Sequence, residues 1–383
     1  MAENFPKRSV LVNGLTIRNP LANYLIRKLD RPHPLILPPL PRNCERILIS
    51  NISNLGDVLI ATTVIPAIRD HYPNCRIGFL TSSQAFPAIE LHPHVDEIHL
   101  FDHAYLTQSE LGKSKAALQH IRTFGKALSE IKGKYQIGID LQPFFPNGIS
   151  LLHKAEIPTR IGYSSGGFSR FLTHPLDWKW GNEYLCSSHL NLLRSVGFVF
   201  KKNTPLPFYP KIALPPNKTI PQPYICLAPS SSRKIKEWPS NSWIALAQML
   251  KNLGREIVLV GKGDGNRALC SSIEKSIECI NFYDSLNWRE FAAVIQHAEL
   301  LISVDSAAIH VAASAAVPTI AIHSGINDPA SWSPSGTVCS TISHKTPCSP
   351  CFNRNGCKDM TCIQLVKPEE VLIASMNYLD KTK

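Results

Sequence analysis

At 383 residues the chain is too long for one typical core, and two domains of ordinary size are expected. A hydrophobic content of 44% with 18% charged residues excludes an intrinsically disordered chain. A formal net charge of +11 points to anionic partners, whether phosphorylated ligands, a lipid face or nucleic acid, without choosing among them.

Residues 1–43 read as an N-terminal extension, basic and proline-rich near its end, with an amphipathic helix expected at Asn19–Leu29 that docks on the protein body or on lipid. The first residues lack the apolar core of a signal peptide, and no run approaches the roughly 20 apolar residues of a spanning helix. A cytoplasmic protein, open to peripheral contact with a membrane, is the expectation.

A first domain, 44–204, begins with strand Arg46–Ser50, a loop Asn51–Gly56 and a helix from Asp57 to about Tyr72. Strand Arg76–Leu80, a helix near Ser83–Leu91, strand Glu97–Phe101, a helix from Lys113 to about Ile131 and strand Gln136–Leu141 follow. Arg160–Tyr163 and the region Trp178–Trp180 read as irregular acceptor-side loops. The stretch Asn203–Tyr224 holds seven prolines and no helical period, which makes 205–223 a linker. The second domain, 224–383, has strand Tyr224–Ala228, a helix from about Ser240 to Leu253, strand Glu256–Val260, helix Asn266–Lys275 and a helix near Asn287–Ala298. Strand Leu300–Val304 then feeds a helix from Ala307, and a helix from Pro368 to about Leu379 closes the chain. Strands alternating with helices imply parallel sheets with right-handed crossovers, so the fold class is α/β, doubly wound in both domains.

Four stretches carry chemistry. Leu300–Val304 running into Asp305-Ser306 and an alanine-rich helix puts a helix start at the end of a buried strand, where unpaired N–H groups favour phosphate. There Ser306 Oγ with the amides of Ala307 and Ala308 suits a diphosphate, with His310 one turn on; an ordinary capped core helix is the other reading. Ser230 to Lys236 offers hydroxyls and three cations beyond a strand, either a phosphate site or a solvated basic turn. Gly56-Asp57 places a carboxylate at a helix start, as a cap or as a general base. Cys348, Cys351, Cys357 and Cys362 have spacing for one structural zinc or iron, against reduced thiols packing a loop; four protein ligands would leave no open position for catalysis. The loop Gly261–Gly265 nearly matches a dinucleotide fingerprint, with Asn266 in place of the last glycine.

Taken in order, these segments resemble the heptosyltransferase family of glycosyltransferases. The resemblance runs from Ile47 to about Val371 and rests on Leu55-Gly56-Asp57-Val58 with Ala67-Ile68-Arg69, Lys236-Glu237-Trp238-Pro239, Asp305 to His310, Asn327-Asp328-Pro329 and the Cys348-x2-Cys351 tail. It implies the GT-B fold, two Rossmann-like domains facing across a cleft. The implied reaction moves a heptose with inversion from ADP-heptose to a sugar acceptor, usually the lipopolysaccharide inner core, without a metal in the chemistry. By the same resemblance Asp57 matches the catalytic base, and Lys236 the lysine on the donor phosphates with Ser230, Ser231 and Ser232 as hydroxyl partners. Asp305, Ser306, Ala307 and His310 match positions around the diphosphate and sugar, and Asp264 or Asn266 stands where the family places an acid on the ribose. Thr63 replaces a usual proline and Ala307 a usual glycine. An ADP-sugar donor and a lipid-linked or other glycan acceptor are the implied partners. Another nucleotide sugar, a protein hydroxyl acceptor and a member without turnover stay open. A metal-containing nucleic-acid binder ranks below these, since no aromatic-basic interleaving supports it.

Overall fold

The computed structural model describes residues 37–178, 183–201, 205–216, 219–231, 233–263, 266–334, 339–353 and 357–379. The helix expected at Asn19–Leu29, and also Ser232, Asp264 and Trp180, lie outside them.

The chain divides into two compact units, one holding Met1–Gly181 and Cys186–Thr204, the other Asn182–Leu185 and Pro205–Lys383. The first unit has strands β1 (Arg46–Ser50), β2 (Arg76–Thr81), β3 (Glu97–Leu100), β4 (Ile137–Asp140), β5 (Thr159–Tyr163) and β6 (His174–Leu176). They form one parallel sheet in the order β3-β2-β1-β4-β5-β6. In the second unit β7 (Tyr224–Ala228), β8 (Glu256–Leu259), β9 (Ile280–Asn281), β10 (Leu300–Val304), β11 (Thr319–Ile322) and β12 (Cys339–Ile342) repeat the pattern as β12-β11-β10-β7-β8-β9. Both are doubly wound α/β sheets with the order that reverses beside the first strand, the place where such folds bind ligands. In the first unit that switch point lies between β1 and β4, in the second between β7 and β10.

The strands are nearly continuous apolar runs because helices cover both faces. All five residues of β7 and of β10 are buried. Trp243, Leu246 and Leu250 of helix Ser240–Asn252 pack with Ile225, Leu227, Ile302 and Ile320 in the second core, and Leu48, Ile131, Leu151 and Leu152 pack together in the first.

Several sequence expectations need correction. The helix from Asp57 to Tyr72 is two helices, Leu55–Ala61 and Val64–His71. Pro66 has no N–H to give the carbonyl of Thr62, so the helix cannot run through. The helix near Ser83–Leu91 reduces to one 3-10 turn, Phe86–Ala88. Ser83 does not cap a helix; its N and Oγ bond Asp102 at 2.7 and 2.8 Å. Arg160–Tyr163 belongs to a regular strand, and Gly162 permits it: a Cβ there would stand 3.1 Å from the carbonyl oxygen of Asp140. A helix over Ala104–Leu111 and the short strands β9, β11 and β12 went unanticipated.

Candidate active site

In the first unit Asp57 sits at the third position of helix Leu55–Ala61, not at its cap, which is Asn54. Its Oδ2 accepts from Ser53 Oγ at 2.7 Å, from Asn54 N at 3.2 Å and from Asn54 Nδ2 at 3.2 Å. A carboxylate reaching back to the cap amide satisfies one of the four unpaired N–H groups of a helix start and fixes its own rotamer. The loop beneath is pinned by Asn51, whose Oδ1 accepts from Ser53 N at 3.1 Å and whose Nδ2 donates to Asp57 O at 3.3 Å. Among the described residues no donor reaches Asp57 Oδ1. One oxygen positions the group and the other is open to a proton, so capping and base chemistry are compatible.

In the second unit the ends of β7 and β10 lie side by side, Ala228 opposite Ser303. Beyond β7 a single 3-10 turn, Lys234–Lys236, buries Ile235 and leads to Trp238. Trp238 donates from Nε1 to Val366 O at 3.0 Å and meets Trp243 edge-to-face at 5.2 Å. This anchoring aims Lys236 inward, and its Nζ lies 2.6 Å from Asp305 Oδ2 with the two side chains 16% and 6% exposed. Burial alone would push the Asp305 carboxyl up, but Lys236, His323 and His310 beside it bring it down to about 2. Asp305 is therefore an ionised buried carboxylate.

Ser306 caps helix Ala307–Ser314, its Oγ accepting from Ala308 N at 3.3 Å and lying 3.1 Å from Ser303 Oγ. Ser231 Oγ lies 3.5 Å from the carbonyl oxygen of Asp305. Ser230 stands against Gly261, where a Cβ would come within 2.3 Å of its Oγ. His310 is buried, which lowers its pKa to about 3, and its Nδ1 lies 3.0 Å from the hydroxyl of Tyr184 with the two rings stacked. The structure thus brings Ser230, Ser231, Lys236, Asp305, Ser306, Ala307 and His310 to the switch point of one sheet.

Asn266 is buried and its amide is already engaged. Its Nδ2 donates to Glu237 Oε1 at 2.8 Å, and Glu237, whose pKa burial raises, is the nearby acid that sequence reasoning passed over within its own Lys236–Pro239 motif. Tyr184, His323 and Ser333 were missed as well. No local spacing announces the contact of Tyr184 with His310 or of Ser333 with His323.

Cys348 and Cys357 are exposed and Cys351 and Cys362 half-buried. Cys351 N donates to Gly325 O at 2.9 Å, and Cys362 Cβ would lie 3.2 Å from a Cβ on Gly325, so both pack on the turn after β11. Burial raises the Cys351 thiol, and Cys348 and Cys362 raise it further as like charges, so these three are neighbours. Among the described residues, however, no three such groups stand at the spacing of a metal site.

Two doubly wound units, each with its switch point beside its first strand, are the two Rossmann-like units of the GT-B fold. The sequence profile of glycosyltransferase family 9 (heptosyltransferase) matches residues 121–360, and the chain belongs to that family. It is 24% identical over 294 residues to lipopolysaccharide heptosyltransferase 3 of Escherichia coli, covering 73% of this chain and 83% of the relative. The fold is similar to that of a glycosyl transferase family 9 protein from Veillonella parvula, with a TM-score of 0.71 at 19% identity over 90% of this chain and 99% of that one. It is also similar to E. coli heptosyltransferase WaaC with ADP, with a TM-score of 0.63 at 15% identity over 88% of this chain and 100% of that one. A more distant likeness, with a TM-score of 0.55 at 14% identity over 90% of this chain and 78% of that one, is to the dodecameric iron-containing heptosyltransferase TibC in complex with ADP-D-beta-D-heptose.

Proposed function

We propose that this chain transfers a heptose, with inversion, from ADP-heptose to a sugar hydroxyl of a lipopolysaccharide inner core. The observation that carries the reading is the Lys236–Asp305 pair beside the start of helix Ala307–Ser314, at the switch point of the second sheet. As the bond from the anomeric carbon to the diphosphate oxygen breaks, negative charge builds on the departing ADP. Lys236 and the first amides of the helix stabilise it. The acceptor oxygen attacks the opposite face of that carbon and gives its proton to Asp57 Oδ1. The reading requires the two units to act on one reacting pair, with water excluded while the donor is exposed.

Thermal unfolding with ADP, UDP, GDP and CDP in parallel tests the donor. A ligand at about 100 times its dissociation constant adds about 2.7 kcal/mol of stability. ADP alone is expected to stabilise; selective stabilisation by another nucleotide discards heptose. With ADP-heptose and core-sugar acceptors, Asp57→Asn is expected to fold normally and to lose about 10²–10⁴ in kcat. A variant as fast as the parent ends the role of Asp57.

The spacing of Cys348, Cys351, Cys357 and Cys362 supports one structural zinc or iron, which would close the loop that packs on Gly325. Metal analysis of the purified protein decides it: about one equivalent, lost in a Cys351→Ser variant, is expected, and a metal-free protein in which these four cysteines all react as free thiols refutes it.

Peripheral membrane binding is supported by helix Lys113–Ile131. Leu118 and Ile121 on its outer side are each 68% exposed, with Lys113, Lys115 and Arg122 around them also exposed. Apolar anchors among cations suit an anionic lipid surface. Sedimentation with phosphatidylglycerol vesicles is expected to bind the parent protein and not Leu118→Ser/Ile121→Ser. Among the described residues no helix is long and apolar enough to cross a membrane.

A further inference from the structure

Asp305 is a buried carboxylate whose cation the proposed reaction has to borrow. Lys236 Nζ lies 2.6 Å from its Oδ2. A donor diphosphate gives Lys236 a second anion to serve, and as the ammonium turns to phosphate, Asp305 loses the partner that makes its burial tolerable. A buried charge stripped of its partner is strongly unfavourable.

A substitute stands beside it. His323, the residue after β11, is 1% exposed, and its Nδ1 lies 4.0 Å from the same Oδ2. That is too long for a hydrogen bond, and a shift of roughly 1 Å would make one. The other ring nitrogen, Nε2, is 2.9 Å from Ser333 Oγ. Ser333 follows the short helix Pro329–Trp332 and is itself fixed by its N–H to Pro329 O at 2.8 Å. When the Ser333 hydroxyl donates to Nε2, the ring proton sits on Nδ1 and faces the carboxylate.

We infer that His323 and Ser333 are positioning residues of the donor site: the Nδ1–H of His323 takes over Asp305 as Lys236 moves onto the diphosphate, and Ser333 holds the ring in the tautomer that can do so. The inference rests on the donor-site reading above. The charged and titratable groups facing Asp305 are Lys236 from the turn after β7, His310 from the helix after β10, and His323; His323 also feels Asp328. Burial lowers the pKa of His323, so it serves as a neutral donor.

The test is titration of ADP and of inorganic pyrophosphate into the full-length protein at about pH 8 and about pH 6, with each variant expressed as a ratio to the parent. His323→Phe keeps a ring and removes both nitrogens, so Asp305 has to take up a proton when Lys236 leaves it. Its affinity for both ligands is expected to fall at least about tenfold at the higher pH, with the deficit shrinking at the lower pH. His323→Gln, which retains an N–H donor, should recover most of the loss, and Ser333→Ala should show a smaller deficit of the same pH sense. If His323→Phe does not fold, Ser333→Ala carries the test by that sense alone. Parent-like binding by the variants, or a deficit equal at both pH values, overturns the inference while leaving the donor site in place. A parent protein that binds neither ADP nor pyrophosphate overturns the donor reading and the inference with it.

Discussion

Two aspartates occupy equivalent places in the two sheets and have opposite electrostatic fates. Asp140 ends β4 and Asp305 directly follows β10, the fourth strand of each unit, and both are buried at the switch point beside the unit's first strand. Around Asp140 the partners are neutral: Ser50 Oγ at 2.8 Å, Gly148 N at 2.7 Å and Gln142 N at 3.1 Å. Burial outweighs them and pushes its pKa up to about 6. Around Asp305 there is an ammonium at 2.6 Å, and the pKa falls to about 2. Burial alone therefore does not decide whether a carboxylate is charged; the presence of a cation does. The first aspartate fastens the loop after β4, where a Cβ on Gly148 would lie 2.9 Å from Asp140 Oδ2. The second keeps a charge that a phosphate-binding lysine needs.

The largest test of this contrast is Lys236→Ala. It removes the ammonium that stabilises the departing diphosphate and strands Asp305, so transfer should fall by about 10²–10³. The fold should lose on the order of 3 kcal/mol. Initial rates and thermal unfolding measure both, and an unchanged melting temperature would show that Asp305 does not depend on Lys236.

Next in size is the pH dependence of stability. His92, His189 and His310 have pKa values lowered by burial to about 3 and His103 to about 4, from an ordinary 6.5. Between pH 6.5 and about 4 the unfolded chain binds these protons and the folded one does not, so stability falls as the pH drops. Each full proton contributes roughly 1.4 kcal/mol per pH unit. Asp140 works in the other direction, since its raised pKa lets the folded state take its proton first, below about 6. Asp305 stabilises the fold above its ordinary 3.8, and that contribution disappears only as the pH falls through about 2. A steady loss of stability from pH 7 to pH 5 in urea titrations is expected, four histidine protons outweighing one; a flat profile would contradict it.

The smallest effect should come from Asp140→Asn. The amide cannot accept from Gly148 N, Gln142 N and Ser50 Oγ as the carboxyl does, and the expected cost is about 1–2 kcal/mol. That cost should shrink as the pH rises through 6, because the parent then has to ionise a buried carboxyl. Transfer activity should stay within a factor of about three. A large catalytic loss would give Asp140 a part in the chemistry and weaken the contrast with Asp305.

Strands β1, β7 and β10 were legible to the residue, and the helices Lys113–Ile131 and Pro368–Leu379 in their starts and approximate ends, because long apolar runs and amphipathic periods are local signals. The two-residue β9 carries too little pattern to announce itself, and β11 and β12, though no shorter than β3, β4 and β8, were passed over. Asp57 was legible as a carboxylate at a helix start, but its place three residues inside depended on which side chain, Asn54 or Asp57, the backbone chose as cap. The bond of Asn266 to Glu237 was not legible, because Glu237 arrives from a different strand end.

By itself the sequence determined seven strands, β1 to β4, β7, β8 and β10, the longer helices beside them, and the order of motifs that marks the family. Hydrophobic burial and helix signals act over a few residues, and that much is written locally. Only the tertiary structure decided that Lys236 and His323 both face Oδ2 of Asp305. A doubly wound sheet sets β7 beside β10 and β10 beside β11, bringing together strand ends that are far apart in the chain. The charge of a buried group depends on what those neighbours present to it.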